Sequence, residues 1–181
     1  MTIRLEPYHT AHLPQLQSLV NSHLGTVVPG WGLPKHFIHD RLERHPEQHV
    51  IDPWVSERVT LCALQAGRVV AAAHLLHYAD SAEVVMHYRG GADIAWLLTL
   101  PTVTEAADLL LKEVLRHTQV WNASRITAFD AGLPVPALVG IPTVWPHIRD
   151  LLLRHGFVQT QNAPKHFMAA CSSRFLPTTH H

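Results

Sequence analysis

Only two cysteines, Cys62 and Cys171, occur in the 181 residues, far apart and without C-x-x-C spacing. That excludes a disulfide framework and leaves two buried thiols in a reducing compartment as the expectation. Charge is scarce as well: 15% of residues are charged, and fourteen basic side chains cancel fourteen acidic ones. With no net positive field, neither nucleic acid nor a membrane is an expected partner. No apolar run approaches the ~20 residues that span a bilayer. The N-terminal Thr2-Ile3-Arg4-Leu5-Glu6-Pro7 alternates as a strand does, unlike a signal peptide. A cytoplasmic protein follows as the expectation.

What the chain does have is apolar residue, 47% of the total, enough for one core. One domain over residues 1–175 is expected, with 176–181 as a flexible tail. It also has sixteen histidines. His36 and His39 could share a helix face, but no Glu separates them as in H-E-x-x-H. His74 and His77 fall in a predicted strand, where an odd spacing sends them to opposite faces. His45/His49 is the remaining pair. No metal is expected from this pattern, and the terminal His180-His181 carry no argument.

Periodicity sets out the elements. A strand covers Thr2–Glu6, and a helix with Leu13, Leu16, Leu19 and Val20 on one stripe covers Thr10–Ser22. Gly25–Pro34 reads as loop, carrying Trp31 as a core plug or as the wall of a substrate pocket. A short helix over Pro34–Arg44 precedes a loop, then a hairpin of Val59–Leu64 and Arg68–Tyr78 joined by Gln65-Ala66-Gly67. The strand Ala92–Leu100 is nearly all apolar, as a central strand covered on both faces requires. A helix from Thr102 to His117, a strand over Ser124–Phe129, a loop over Asp130–Pro142 and a helix over Pro146–His155 follow. The last helix has Pro146 in its first turn and Gly156 at its C-terminal cap. Phe157–Thr160 and Lys165–Cys171 are the last predicted strands. The order β-α-α-β-β-β-α-β-α-β-β predicts an α+β (mixed α/β) domain, with a mixed, mostly antiparallel central sheet flanked by helices.

The most informative stretch is Ala92–His117. A buried strand that feeds a helix start presents unpaired first-turn N–H groups, a ready anion site. Here Thr102-x-x-Glu105 has capping-box spacing, which predicts a helix that caps itself, with a modified phosphate loop as the alternative reading. The Glu105 charge favours the helix dipole and opposes a diphosphate.

This order resembles the GNAT-type N-acetyltransferases over about residues 2–171. Ala92–His117 resembles their acetyl-CoA segment, and Trp145–Val158, ending its helix in Gly156-Phe157, resembles their late helix. The resemblance implies acetyl-CoA as co-substrate, with Leu97, Leu98 and Thr99 on the pantetheine and Thr102, Val103, Thr104 and Glu105 at the phosphates. It implies an N-acetyltransferase acting on the amine of a small molecule or peptide, with a homodimer as the candidate assembly. The sequence departs from the family where Arg or Gln and a Gly-x-Gly or Gly-x-Ala are expected; Pro101-Thr102-Val103-Thr104 has no glycine. The family's general-acid Tyr is Leu152 here, and Trp145 stands near where its Asn opens the helix. Asp93 is the candidate catalytic base, with Glu83 and His87 weaker; Tyr78 and Tyr88 are the nearest phenols. Trp31 and Trp145 are candidate substrate contacts. The alternative is a catalytically degenerate module of the same fold that serves in binding or dimerisation.

Overall fold

In the computed structural model, the alternating and continuous apolar runs of the described residues form eleven α-helices and strands. The structure describes residues 2–44, 50–130, 140–160 and 174–177. They run β1 Ile3–Pro7, α1 Leu13–Val27, α2 Lys35–Glu43, β2 Val55–Gln65, β3 Arg68–Tyr78, β4 Ala92–Thr99, α3 Thr104–Val120, β5 Ile126–Ala128, α4 Pro146–Arg154, β6 Phe157–Thr160 and β7 Arg174–Pro177. The expected α+β order is therefore present. Among the described residues the sheet has seven strands in the order β1-β2-β3-β4-β5-β7-β6. β4 and β5 are parallel and the other pairs antiparallel.

β3 and β4 are buried almost without interruption, which requires cover on both faces. α1 supplies it on one side, through Leu16, Leu19, Val20 and Leu24. α3 supplies the other with Ala107, Leu110, Leu111 and Val114, four positions at helical spacing. α4 ties the two layers together. The indole N–H of Trp145, just before α4, donates to Thr26 Oγ1 of α1 at 2.8 Å, and His155, just after it, meets Asp108 of α3 at 2.8 Å.

Three expectations change at the element ends. α1 does not stop near Ser22 but continues through Gly25 to Val27. A glycine in a helix costs roughly 0.5–1 kcal/mol against alanine; burial of His23 and Leu24 and the Trp145–Thr26 hydrogen bond outweigh it. β7 extends to Pro177, two residues into the stretch expected as tail. The strand expected over Lys165–Cys171 lies outside the described residues, as does Cys171. The third change is at the start of α3, beside the candidate site.

The β2–β3 hairpin closes from Gln65 to Arg68 over Ala66-Gly67, whose φ angles are 50° and 74°. Two left-handed residues make the turn twist with the strands, which is why Asn-Gly is the favoured pair. Ala66 holds that conformation against its Cβ. Replacing it by Asn is expected to raise the unfolding free energy by up to about 1 kcal/mol, read from urea denaturation, whereas Ala66→Val lowers it.

Candidate active site

β4 is the strand on which the site depends. Its first three residues pair with β5, Ala92 with Ile126, Asp93 with Thr127 and Ile94 with Ala128, and there the parallel ladder ends. At the same point the register with β3 slips: His74 faces Trp96 while Leu75 faces Ile94, so Ala95 is an extra residue. A bulge of this kind bends the strand and leaves one residue outside the ladder. Phe129, which bonds to the Ile94 carbonyl at 2.8 Å, leaves β5 with a φ of 60°. The two parallel strands thus splay beyond Ile94. Leu100 N–H donates to Val70 O on β3, so alternation turns the backbone groups of Leu97 and Thr99 toward the opposite, splayed edge.

The far end of that edge is held by two histidines. His23 of α1 and His147 of α4 both place Nε2 against the Thr99 carbonyl, at 3.1 and 2.9 Å. His23 also sets Nδ1 against Leu19 O at 2.8 Å, so both of its ring nitrogens face carbonyl oxygens. A neutral imidazole has one N–H and can satisfy only one of them. Burial holds the His23 pKa below the ordinary imidazole value; the Leu19 carbonyl opposes this, nearby His147 adds to it and the Thr99 carbonyl opposes it. His147 is also lowered by burial, against the Thr99 carbonyl and Asp150. Trp145 packs edge-on to His23 at 5.2 Å and is 1% exposed. Around these rings opens a cleft of about 440 Å³, lined chiefly by His23, Thr26, Leu100, Pro101, Trp145 and His147.

The cleft ends at the start of α3, and there the capping box does not form. Val103 N–H donates to Leu100 O at 3.2 Å, closing a turn whose second residue is Pro101, the position proline favours. Thr102 is spent in that turn. The helix begins at Thr104 behind Val103, with no side-chain cap. Thr104 and Glu105 are exposed, so the first-turn N–H groups face outward with a carboxylate beside them.

Asp93 sits near the other end of β4, six residues and roughly 20 Å of strand from Thr99. It is fully buried and takes the Thr127 hydroxyl proton at 2.8 Å, with the Asp130 N–H at 3.4 Å. Tyr78 stands two residues from Leu76, the register partner of Asp93, and so shares its face of the sheet. Burial, with Asp93 and other neighbouring groups behind it, pushes the Tyr78 phenol well above its usual range, so it keeps its proton. Its hydroxyl is buried without a hydrogen-bond partner. His87 closes the group from outside, 3.5 Å from Asp130 and against Arg125.

Solved acetyltransferase structures share this fold. The chain superposes on an acetyltransferase from Streptococcus agalactiae over 98% of both chains, with a TM-score of 0.64 at 14% identity. The fold is that of the GNAT acetyltransferases. A ribosomal-protein-alanine N-acetyltransferase from Brucella melitensis matches over 97% of this chain and 96% of that one, with a TM-score of 0.59 at 16% identity. A glucosamine N-acetyltransferase region in a fungal multidomain β-N-acetylglucosaminidase gives 0.65 at 17%, over 89% of this chain; this chain spans only 17% of that protein. No protein-family model matches the sequence, and no curated protein does.

Set on the GNAT fold, the residues singled out from sequence fall at two ends of one strand. Leu97, Leu98 and Thr99 lie on the splayed half of β4, and Thr102–Glu105 lie just beyond it. Trp145 lines the cleft. Trp31 is partly buried against the core in a loop pinned to α1, where Asn21 holds both the Leu33 N–H (2.7 Å) and its carbonyl (3.1 Å). Leu152 is buried and offers no proton. Glu83 is exposed at a turn. Cys62 is buried and its thiol is pushed up to about 12 by burial and then by Glu6, as suits an inert core cysteine. His74 and His77 do diverge, one onto Thr60 and the other onto Trp121. His45 and His49 lie outside the described residues. His23 and His147 were not singled out, although His23 interrupts the apolar stripe of α1 and could have been.

The lowered pKa values of His23 and His147 set a pH dependence. The unfolded rings take up protons from about pH 6.5 downward while the folded ones resist. The neutral pair therefore contributes stability above that pH, lost as pH falls toward the folded values. Urea unfolding between pH 8 and pH 5 is expected to show this decline, and His23→Gln/His147→Gln to flatten it.

Proposed function

We propose that this chain is an acetyl-CoA-dependent N-acetyltransferase whose acceptor is the amine of a small molecule or peptide. The observation that carries the reading is the Ala95 bulge, with the splayed edge of β4 running from it to the cleft at Pro101. An extended chain bearing amides fits such an edge by adding hydrogen bonds in strand fashion. Leu97 offers an N–H and a carbonyl there, and Thr99 its N–H, while the Thr99 carbonyl is already engaged by the two histidines. The uncapped first turn of α3 would take the phosphates, with Glu105 weakening that grip.

In the proposed reaction the amine attacks the thioester carbonyl, and an N–H of the bulge steadies the oxyanion of the tetrahedral intermediate. Asp93 receives the proton that the attacking amine gives up. The C–S bond then breaks and the sulfur leaves as thiolate.

A second reading, a non-catalytic module of the same fold, draws on one observation: His23, Trp145 and His147 already pack the end of the edge that pantetheine would follow. Titration calorimetry separates the two. Acetyl-CoA is expected to bind saturably, and Glu105→Gln to tighten it roughly two- to fivefold, since removing a like charge at a helix start is worth about 0.3–1 kcal/mol. Asp93→Asn is expected to lower the acetylation rate about 100-fold or more and leave acetyl-CoA binding unchanged. Absence of heat at millimolar acetyl-CoA favours the module.

A further inference from the structure

Away from the β4 cleft, the end of β1 and the turn that follows it bring three metal-ligating side chains together. Glu6 is the penultimate residue of β1, His9 immediately precedes the 3₁₀ turn Thr10–His12 that leads into α1, and His12 is the last residue of that turn. Glu6 Oε1 lies 2.8 Å from His12 Nε2 and 3.6 Å from His9 Nε2. The two imidazoles overlap with ring centroids 3.7 Å apart. One donor atom from each of the three residues falls within a 4.8 Å sphere of mutual distances. Ligands about 2.0–2.1 Å from a tetrahedral zinc stand roughly 3.3 Å apart, so these separations bracket the required value. Reading histidines in pairs passes over this group, because its third member is a carboxylate on the preceding strand.

We propose that Glu6, His9 and His12 form a binding site for a divalent transition-metal ion, zinc foremost. Two imidazoles and one carboxylate suit zinc and its neighbours rather than magnesium or calcium. The carboxylate is already oriented for the task. Arg4 Nε holds Glu6 Oε2 at 2.9 Å, turning Oε1 toward the histidines as an outer-shell partner does. His12 is nearly buried, Glu6 is partly covered and His9 is open to solvent, so an ion has an approach from the His9 side. Without metal, His12 Nε2 faces a carboxylate and its Nδ1 takes the His9 N–H at 3.3 Å, which puts the ring proton on Nε2. An ion at Nε2 moves that proton to Nδ1 and replaces the long His9 contact. The His12 tautomer therefore switches on loading. The ion would fasten the end of β1 to the start of α1.

The test is zinc chloride titrated into full-length protein carrying His180→Ala and His181→Ala, followed by calorimetry and by ¹⁵N NMR of the histidine side chains. One saturable equivalent is expected, with the His12 Nε2 resonance moving from the N–H to the metal-bound position. Loss of a direct ligand weakens binding at least as much as loss of an outer-shell partner, about tenfold or more. Glu6→Gln and His12→Ala should each do so, and His36→Ala should not. His9→Ala removes an exposed ring, so it too must weaken binding if the site is real. Zinc that binds without saturation, or that binds equally well after His9→Ala, overturns the proposal.

Discussion

The whole arrangement depends on the place where β4 and β5 stop pairing. Three parallel register pairs, Ala92–Ile94 with Ile126–Ala128, hold the halves of the sheet together. Beyond them, among the described residues, β4 pairs with β3 alone. A bulge at Ala95 and a left-handed Phe129 make the parting abrupt. Backbone groups at a splayed edge need partners, because a buried N–H or carbonyl left unmet costs free energy comparable to a lost hydrogen bond. The fold meets that requirement at Thr99 with two histidines from different helices and leaves Leu97 facing the gap. The same interruption that threatens the sheet is where the proposed acetyl-CoA would lie.

Charge and burial divide β4 between two kinds of chemistry. At its start, Asp93, Thr127, Asp130 and Tyr78 form a buried polar group reached from outside past His87. At its end the cleft is lined with rings and with the aliphatic Leu100 and Pro101. The bulge lies between them. A group transfer needs this separation, with a proton acceptor on one side of the reacting carbon and a binding trough on the other. The departures from the expected acetyltransferase pattern touch binding and proton transfer alike: no glycine precedes α3, Trp145 stands where an Asn is expected to open the late helix, and Leu152 stands where the general-acid Tyr is expected.

Much of the fold was legible because burial imposes period. Val103, Ala107, Leu110, Leu111 and Val114 announce a helix, and the unbroken run of β4 announces a central strand. Punctuation was less reliable. Gly25 reads as a helix stop, yet α1 passes through it because Leu24 and Thr26 are held by the core and by Trp145. Thr102 and Glu105 read as a capping box, yet Pro101 draws Thr102 into a turn. A proline's fixed φ outweighed a good capping pair. Other features have no sequence signature. A bulge appears only when two strands are set side by side, and the convergence of His23 with His147 joins residues 124 positions apart. The Glu6–His9–His12 group was hidden for a similar reason, since it crosses from strand to turn.

The central claim is that the splayed edge of β4 is a seat for acetyl-CoA, and backbone NMR tests it residue by residue. On adding acetyl-CoA, the amide resonances of Ala95, Leu97 and Thr99 should shift together with those of Thr104–Ala106 at the start of α3. Amides of β1 and β2 should stay in place. If saturating acetyl-CoA leaves the Ala95–Thr99 amides unmoved, or moves only residues distant from β4, the edge is a structural seam and the account is wrong.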